Sequence, residues 1–226
     1  MTAPDDGAPL VEGFECSFEF RPGWIDLTLR EGTRAEAKAL ATYVVNSLDP
    51  LALEIEKSAV LDDMVERAVA LDDDTPTLAA AFYTESGEAL ASLTADSYGD
   101  EGVERPTREE VQPALLEWVN AEVAGDPQVD HLDLPAGPAV RVQAMLRVKR
   151  VFGLRRRLTG FIRYAVLPPG MKSLIVVTVT WEAIARTEEL AELAELAAEA
   201  VQTLRITPIA SDGGGAIADR GTRSGD

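Results

Sequence analysis

AVRVQAMLRVKR (Ala139–Arg150), VFGL (Val151–Leu154) and RRRLTGFIRYAV (Arg155–Val166) read as one long β-hairpin, and the fold follows from how its two arms are paired. In the first arm Val140, Val142, Ala144, Leu146 and Val148 alternate with Arg141, Gln143, Met145, Arg147 and Lys149. In the return arm Leu158, Gly160, Ile162, Tyr164 and Val166 alternate with Arg155, Arg157, Thr159, Phe161 and Arg163. Period-two alternation of this kind marks strands with one apolar face. A two-residue loop at Phe152-Gly153 pairs Leu146 with Thr159, Arg147 with Leu158 and Val142 with Arg163, which sets apolar beside polar residues. A three-residue loop, Val151-Phe152-Gly153, pairs Leu146 with Leu158 and Val142 with Ile162 and puts Gly153 in the left-handed position such loops use. Because hydrophobic pattern sets register, the sequence favours the second pairing. Its cost is on the other face, where Arg147 meets Arg157, Lys149 meets Arg155 and Arg141 meets Arg163, each like-charge pair costing up to about 1 kcal/mol.

The charge distribution sharpens that reading. From Ala139 to Trp181 there is no Asp or Glu but nine basic residues, in a chain whose net charge is −18. Two explanations are open: the chain's own acidic elements, or solvent, neutralise the basic face, or an anionic partner does. The candidate partner surface is Arg141, Met145, Arg147, Lys149, Phe152, Leu154, Arg155, Arg157, Phe161 and Arg163, with Met145 and Phe161 as apolar anchors. Its expected partner is another protein with an acidic surface. The tip, Val151-Phe152-Gly153-Leu154, also suits peripheral contact with an anionic lipid surface. Nucleic acid is disfavoured, because the acidic remainder repels phosphates.

Around the hairpin the chain reads as α+β, a central antiparallel sheet flanked by helices. Residues 1–12 and 209–226 read as disordered, leaving a single domain over 13–208. Phe14–Phe20 alternates as a strand, Pro22-Gly23 turns, and Trp24–Leu29 is a second strand. Thr33-x-x-Glu36 is a capping-box spacing that opens a helix to about Leu48. Asp49-Pro50 suits the start of a second helix running to about Leu71. Thr77–Tyr83 and Ala89–Ala95 flank Glu85-Ser86-Gly87-Glu88 as a hairpin. Thr107-x-x-Glu110 opens another helix, expected to carry Val111, Leu115, Trp118, Val119 and Val123, with Pro113 as a kink or a later start. Ser173–Trp181 is a further long strand. Thr187 caps a final helix with the stripe Leu190, Leu193, Ala194, Ala197, Val201 and Leu204.

Catalytic signals are sparse. His131 is the only histidine and Cys16 the only cysteine, so neither a standard zinc spacing nor an internal disulfide is available. No Walker or GxGxxG motif occurs, and Asp72-Asp73-Asp74 lacks the alternating ligands of a calcium loop. No catalytic residue, cofactor or metal is expected. Trp24, Trp118 and Trp181 are expected in the core. With no run of apolar residues long enough to span a bilayer and an acidic N-terminus, the expected location is cytoplasmic.

The early strand leading to Pro22-Gly23-Trp24, the long hairpin, the strand Ser173–Trp181 and the last helix closing on Thr203-Leu204-Arg205-Ile206 resemble the PsbP/Mog superfamily, across roughly residues 14–207. That group includes the Ran-binding Mog protein, the photosystem PsbP subunit, mycobacterial lipoproteins and Eag-type effector chaperones. The resemblance implies an α/β/α sandwich and a non-enzymatic binding role without a shared catalytic set. For this chain it implies a cytoplasmic adaptor or chaperone, service to a secretion system being one such role. The alternative is a small-ligand binder or enzyme with a pocket between sheet and helices, where an anionic ligand would suit Arg141, Arg147, Arg157 and Arg163.

Overall fold

A computed structural model describes residues 14–47, 55–73, 75–99, 103–118, 121–148, 157–182 and 187–208. In chain order the elements are β1 (Phe14–Ser17), β2 (Trp24–Asp26), α1 (Arg34–Ser47), α2 (Lys57–Asp72), β3 (Leu78–Tyr83), β4 (Ala89–Tyr98), α3 (Arg108–Leu115), β5 (Ala121–Leu134), β6 (Gly137–Val148), β7 (Arg157–Val166), β8 (Leu174–Glu182), α4 (Thr187–Gln202) and β9 (Arg205–Pro208). Seven strands form one antiparallel sheet in the order β2-β3-β4-β8-β7-β6-β5. β1 and β9 make a separate antiparallel ribbon that ties the two ends of the domain together, Cys16 opposite Ile206. The α+β class read from the sequence is the observed one.

Both faces of the sheet are covered. On one, α4 buries Leu193, Leu196, Ala197, Ala200 and Val201 against Ile162, Tyr164, Val166, Val177, Val179 and Trp181. The packing there is close: a Cβ on Gly160 would lie 2.3 Å from the Trp181 indole nitrogen, so only glycine fits beneath that ring. On the other face lie two separate clusters. α1 and α2 pack Ala37, Ala41, Val60, Met64 and Ala68 with Ala81 and Tyr83. α3 packs Val111 and Leu115 with Val140, Val142, Leu146, Phe161 and Ala165.

This double burial overturns the expected hairpin register. The observed pairs are Leu146 with Thr159, Arg147 with Leu158 and Val142 with Arg163, the alignment of a two-residue loop. The premise of one apolar face fails because α3 buries Phe161 beside Val142 while α4 buries Ile162 and Tyr164 on the reverse side. A shift of one residue inverts a strand's faces. Arg141 and Arg147 are therefore dealt to the opposite side of the sheet from Arg163 and Arg157, and those two postulated like-charge pairs do not form, whereas Lys149 and Arg155 lie outside the described residues.

β5 is a second correction, since Val123 was expected on a helix. α3 stops at Leu115, and Ala121–Leu134 is a long edge strand whose register shifts between Ala124 and Gln128. Gly125, at φ 79°, and Pro127 occupy that irregularity, which an edge strand tolerates because among the described residues no further strand is hydrogen-bonded to its outer side. Its acids meet the basic arm: Glu122 stands opposite Arg147, and Asp130 opposite Arg141 with a 3.4 Å ion pair. Asp133 also binds Arg108 of α3 at 2.8 Å. Within the described residues, the chain's own acids thus face the basic hairpin.

Smaller differences are local. β2 ends at Asp26, whose carboxylate accepts the Thr28 N–H at 2.9 Å and turns the chain. α2 spans Lys57–Asp72, and just before it the Ile55 N–H is held by the Ser86 carbonyl at 3.2 Å, while the expected helix start at Asp49-Pro50 lies outside the described residues. Thr203-Leu204 leaves the last helix and feeds β9. The Thr107–Glu110 capping box is complete. At α1 only half of one forms: Thr33 accepts the Glu36 N–H, while the Glu36 carboxylate takes the Arg30 and Glu31 N–H groups. The expected disordered ends and the hairpin tip lie outside the described residues.

Candidate functional site

The two helical clusters on one face do not meet, and between them is a cleft of about 820 Å³. Its floor is the middle of the sheet. Ser92, Thr94 and Asp96 alternate along β4, and Val176, Thr178 and Thr180 along β8, with Ser92 opposite Thr180 and Thr94 opposite Thr178. Thr178 in turn stands opposite Arg163 of β7. The walls are apolar, with Leu71 from α2 on one side and Val111, Ala114 and Leu115 from α3 on the other. Leu174, Pro106 and the aromatic rings of Tyr98 and Trp118 complete the lining, with Glu110 and Glu117 also exposed to the cleft. The volume falls in the range of small-molecule sites, about 300–1,000 Å³.

Arg163 organises one wall. Its Nη1 donates to the Glu117 carbonyl at 2.8 Å and to the Leu115 carbonyl at 3.3 Å, at the C-terminal end of α3. There a cation also meets the negative pole of the helix. Its guanidinium lies 3.7 Å from the centroid of the Trp118 ring, and that ring packs edge-on against Phe161 at 4.8 Å. Burial pulls the Arg163 guanidinium below its usual value, while the neighbouring Tyr98 and Asp96 act in the opposite direction. The Arg163 Nε and Trp118 Nε1 atoms are buried without a protein hydrogen-bond partner.

The α2 side carries a second anchored cation. Arg67 forms a 3.0 Å ion pair with Asp63 and donates to the Ser92 hydroxyl at 3.2 Å. Tyr83 donates its phenol to Asp63 at 2.7 Å. Burial opposes the Arg67 charge, but its bond to Asp63 and the Asp63 charge outweigh that and hold the guanidinium above its ordinary value. Burial, with Asp63 alongside, raises the Tyr83 phenol well above the normal tyrosine range.

The described residues of the expected partner surface are divided between the two faces of the sheet. Arg141, Met145 and Arg147 are half-buried on the α4 side of the sheet, where Arg141 reaches Asp130 and Gln143. Phe161 is fully buried and Arg163 half-buried on the cleft side. Arg157 occupies the first position of β7, opposite Val148. Lys149, Phe152, Leu154 and Arg155 lie outside the described residues. Of the arginines suggested for an anion pocket, Arg163 lines the cleft and Arg141 and Arg147 are on the reverse face. Trp24 and Trp181 are core residues as expected, whereas Trp118 is a cleft wall. His131 is exposed on β5.

Sequence reasoning missed the floor, although its signal was present. Ser92-Leu93-Thr94-Ala95-Asp96 and Thr178-Val179-Thr180-Trp181 each alternate hydroxyl or acid with an apolar residue. Two such strands adjacent in mid-sheet make a polar patch where a core would otherwise close. Among the described residues no cluster of His, Cys, Asp and Glu is arranged to hold a metal, and no helix is long and apolar enough to cross a membrane.

No family model and no curated protein matches this sequence. Among solved structures, the chain is similar to LpqN, involved in cell envelope biogenesis of Mycobacterium tuberculosis. That likeness has 11% identity and a TM-score of 0.45, over 90% of this chain and 88% of that one. None of these comparisons shows membership of the PsbP/Mog superfamily.

Proposed function

We propose that the protein is a non-enzymatic binding module that holds a small organic molecule in the cleft between α2, α3 and the sheet. One observation carries this reading: Ser92, Thr94, Thr178 and Thr180 form a hydroxyl floor at the centre of the sheet, where the reverse side of the same strands is packed with Leu93, Val177, Val179 and Trp181. Hydroxyls in a central position contribute little to a core, but they orient a ligand whose body lies against apolar walls. The groups lining the cleft are hydroxyls, carboxylates, a phenol, an indole and one guanidinium already bonded to carbonyls, a set suited to holding a molecule.

Amide-resolved NMR with a fragment library on the full chain tests this. Fragments that bind should shift Ser92–Tyr98, Val111–Trp118 and Val176–Thr180 together. A library that shifts none of these segments, or shifts only the α4 side, removes the reading.

A further inference from the structure

The wall at the end of α3 specifies which part of a ligand is read, granted that the cleft is a binding site. We infer that Arg163 and Trp118 form a donor subsite for an acceptor oxygen of the carbonyl type, on a ligand whose apolar body lies against Leu71, Val111 and Leu115. Two donors there are buried without a protein acceptor, the Arg163 Nε–H and the Trp118 Nε1–H. Both side chains line the cleft and they are stacked, the guanidinium 3.7 Å from the ring centroid. A buried donor left unpaired has lost the hydrogen bond it makes with water in the unfolded chain, and an acceptor brought to it relieves that cost. The indole nitrogens of Trp24 and Trp181 are also unpaired, but those rings are sealed in the core on the α4 side. Trp118 instead faces an open cleft beside a second unpaired donor.

Both nitrogens lie beneath the cleft surface, so an acceptor reaches them by displacing the Trp118 ring. That ring rests on Arg163 and on the edge of Phe161. Its backbone follows the last turn of α3, where the Leu116 and Glu117 N–H groups bond back to the Pro113 and Ala114 carbonyls. A ring in that position turns about its side-chain bonds without unwinding the helix. The floor adds donors of its own. Ser92 Oγ accepts from Arg67, which leaves its proton to donate, and the hydroxyls of Thr94, Thr178 and Thr180 can donate as well. The carboxylates of the lining are already engaged or solvated. Glu110 accepts from the Thr107 N–H and hydroxyl, Asp96 acts on the Arg163 guanidinium, and Glu117 is exposed. The unmet hydrogen-bonding capacity of this wall is therefore that of donors.

The test titrates three probes of one shape into the full chain at neutral pH: 4-phenylbutan-2-one, its analogue 2-methyl-4-phenylbut-1-ene with a methylene in place of the oxygen, and 4-phenylbutan-2-amine, which is protonated and only donates. NMR follows the backbone amides and the three indole N–H signals, and the same phenyl ring on every probe separates hydrogen bonding from ring-current shifts. The ketone is expected to bind about tenfold more tightly than either analogue, the effect of two net hydrogen bonds. It should move the Trp118 indole N–H downfield and leave those of Trp24 and Trp181 in place. Trp118→Phe keeps a ring and Arg163→Lys keeps a charge, and each removes one donor. Each should cut the ketone's advantage about threefold and leave the affinity of the alkene unchanged. The wild-type indole shift keeps the inference testable should both variants fold poorly. If the cleft amides shift but the ketone binds no more tightly than the alkene, or saturating ketone leaves the Trp118 indole N–H unmoved, the inference is overturned and the binding reading stands. A ketone advantage that survives both variants also overturns it, since the floor hydroxyls then read the oxygen. Failure of every probe to shift the cleft segments removes the binding reading and the inference together.

Discussion

Strands β4 and β8 have two faces built from alternate residues of the same chain segments, and the faces do opposite things. Toward α4 they present Leu93, Ala95, Val177, Val179 and Trp181, all buried in a continuous core. Toward α2 and α3 they present Ser92, Thr94, Asp96, Thr178 and Thr180, which line an open cleft. A helix seals the first face, whereas two helical clusters stop short of each other across the second. On the proposed function, stability and binding are separated onto opposite sides of the same backbone. Polar groups at the sheet centre are tolerable because the cleft leaves room for solvent or ligand to satisfy them.

The largest break in that comparison should come from the sealed side. Trp181→Ala removes a buried ring packed against Gly160 and α4, and is expected to cost about 3–5 kcal/mol in a denaturant titration. A loss below about 1 kcal/mol would mean that the α4 face is not the main core.

Next is the tie between α3 and the sheet. Arg163→Met keeps much of the aliphatic stem but deletes the bonds to the Leu115 and Glu117 carbonyls and the stacking on Trp118. Hydrogen bonds to a charged group set a loss of about 1.5–3 kcal/mol, with faster amide exchange confined to α3 and the segment after it. Uniform acceleration across the sheet would show that Arg163 supports the whole fold.

The floor should respond in the other direction. The double variant Thr94→Val with Thr178→Val replaces two paired hydroxyls by near-isosteric apolar groups, and stability is expected to stay level or rise by up to about 1 kcal/mol while fragment binding in the cleft weakens. Melting temperature and NMR titration read the two effects separately. A marked fall in stability would make the hydroxyls structural and count against the binding reading.

The smallest effect concerns acid. The Glu110 carboxylate is held below its ordinary value by the Thr107 N–H and hydroxyl, and Glu36 by the Arg30 and Glu31 N–H groups. A depressed folded value means that their contribution is present above the unfolded carboxylate pKa and is lost as pH falls through the folded one. Stability measured from neutral pH down to strongly acid solution should therefore decline in that window. Glu110→Gln and Glu36→Gln should each flatten the decline slightly, and an unchanged slope in both would show that the caps are not linked to folding.

How much of this was legible beforehand depended on whether the signal was local. The Thr107–Glu110 box, the β3–β4 turn with Gly87 at φ 89° and the α4 stripe from Leu193 to Val201 were readable because each is set by neighbours within a turn or two. β5 was obscured because Gly125-Asp126-Pro127 interrupts its pattern, which only an edge position allows. The hairpin register was misread by assuming a single apolar face, a property decided by what packs on each side. The strands of the cleft floor were found, but their hydroxyl faces gained meaning only once β4 and β8 were known to be neighbours.

By itself, then, the sequence determined the α+β class, most elements and the charge imbalance, since period, capping and turn chemistry act over a few residues. Tertiary structure decided which side of each strand is sealed and where the acids of β5 sit against the basic arm. It also decided that the helices leave the centre of one face open. Those outcomes arise between segments far apart in the chain, where burial of both sheet faces outweighs the preference of any single strand.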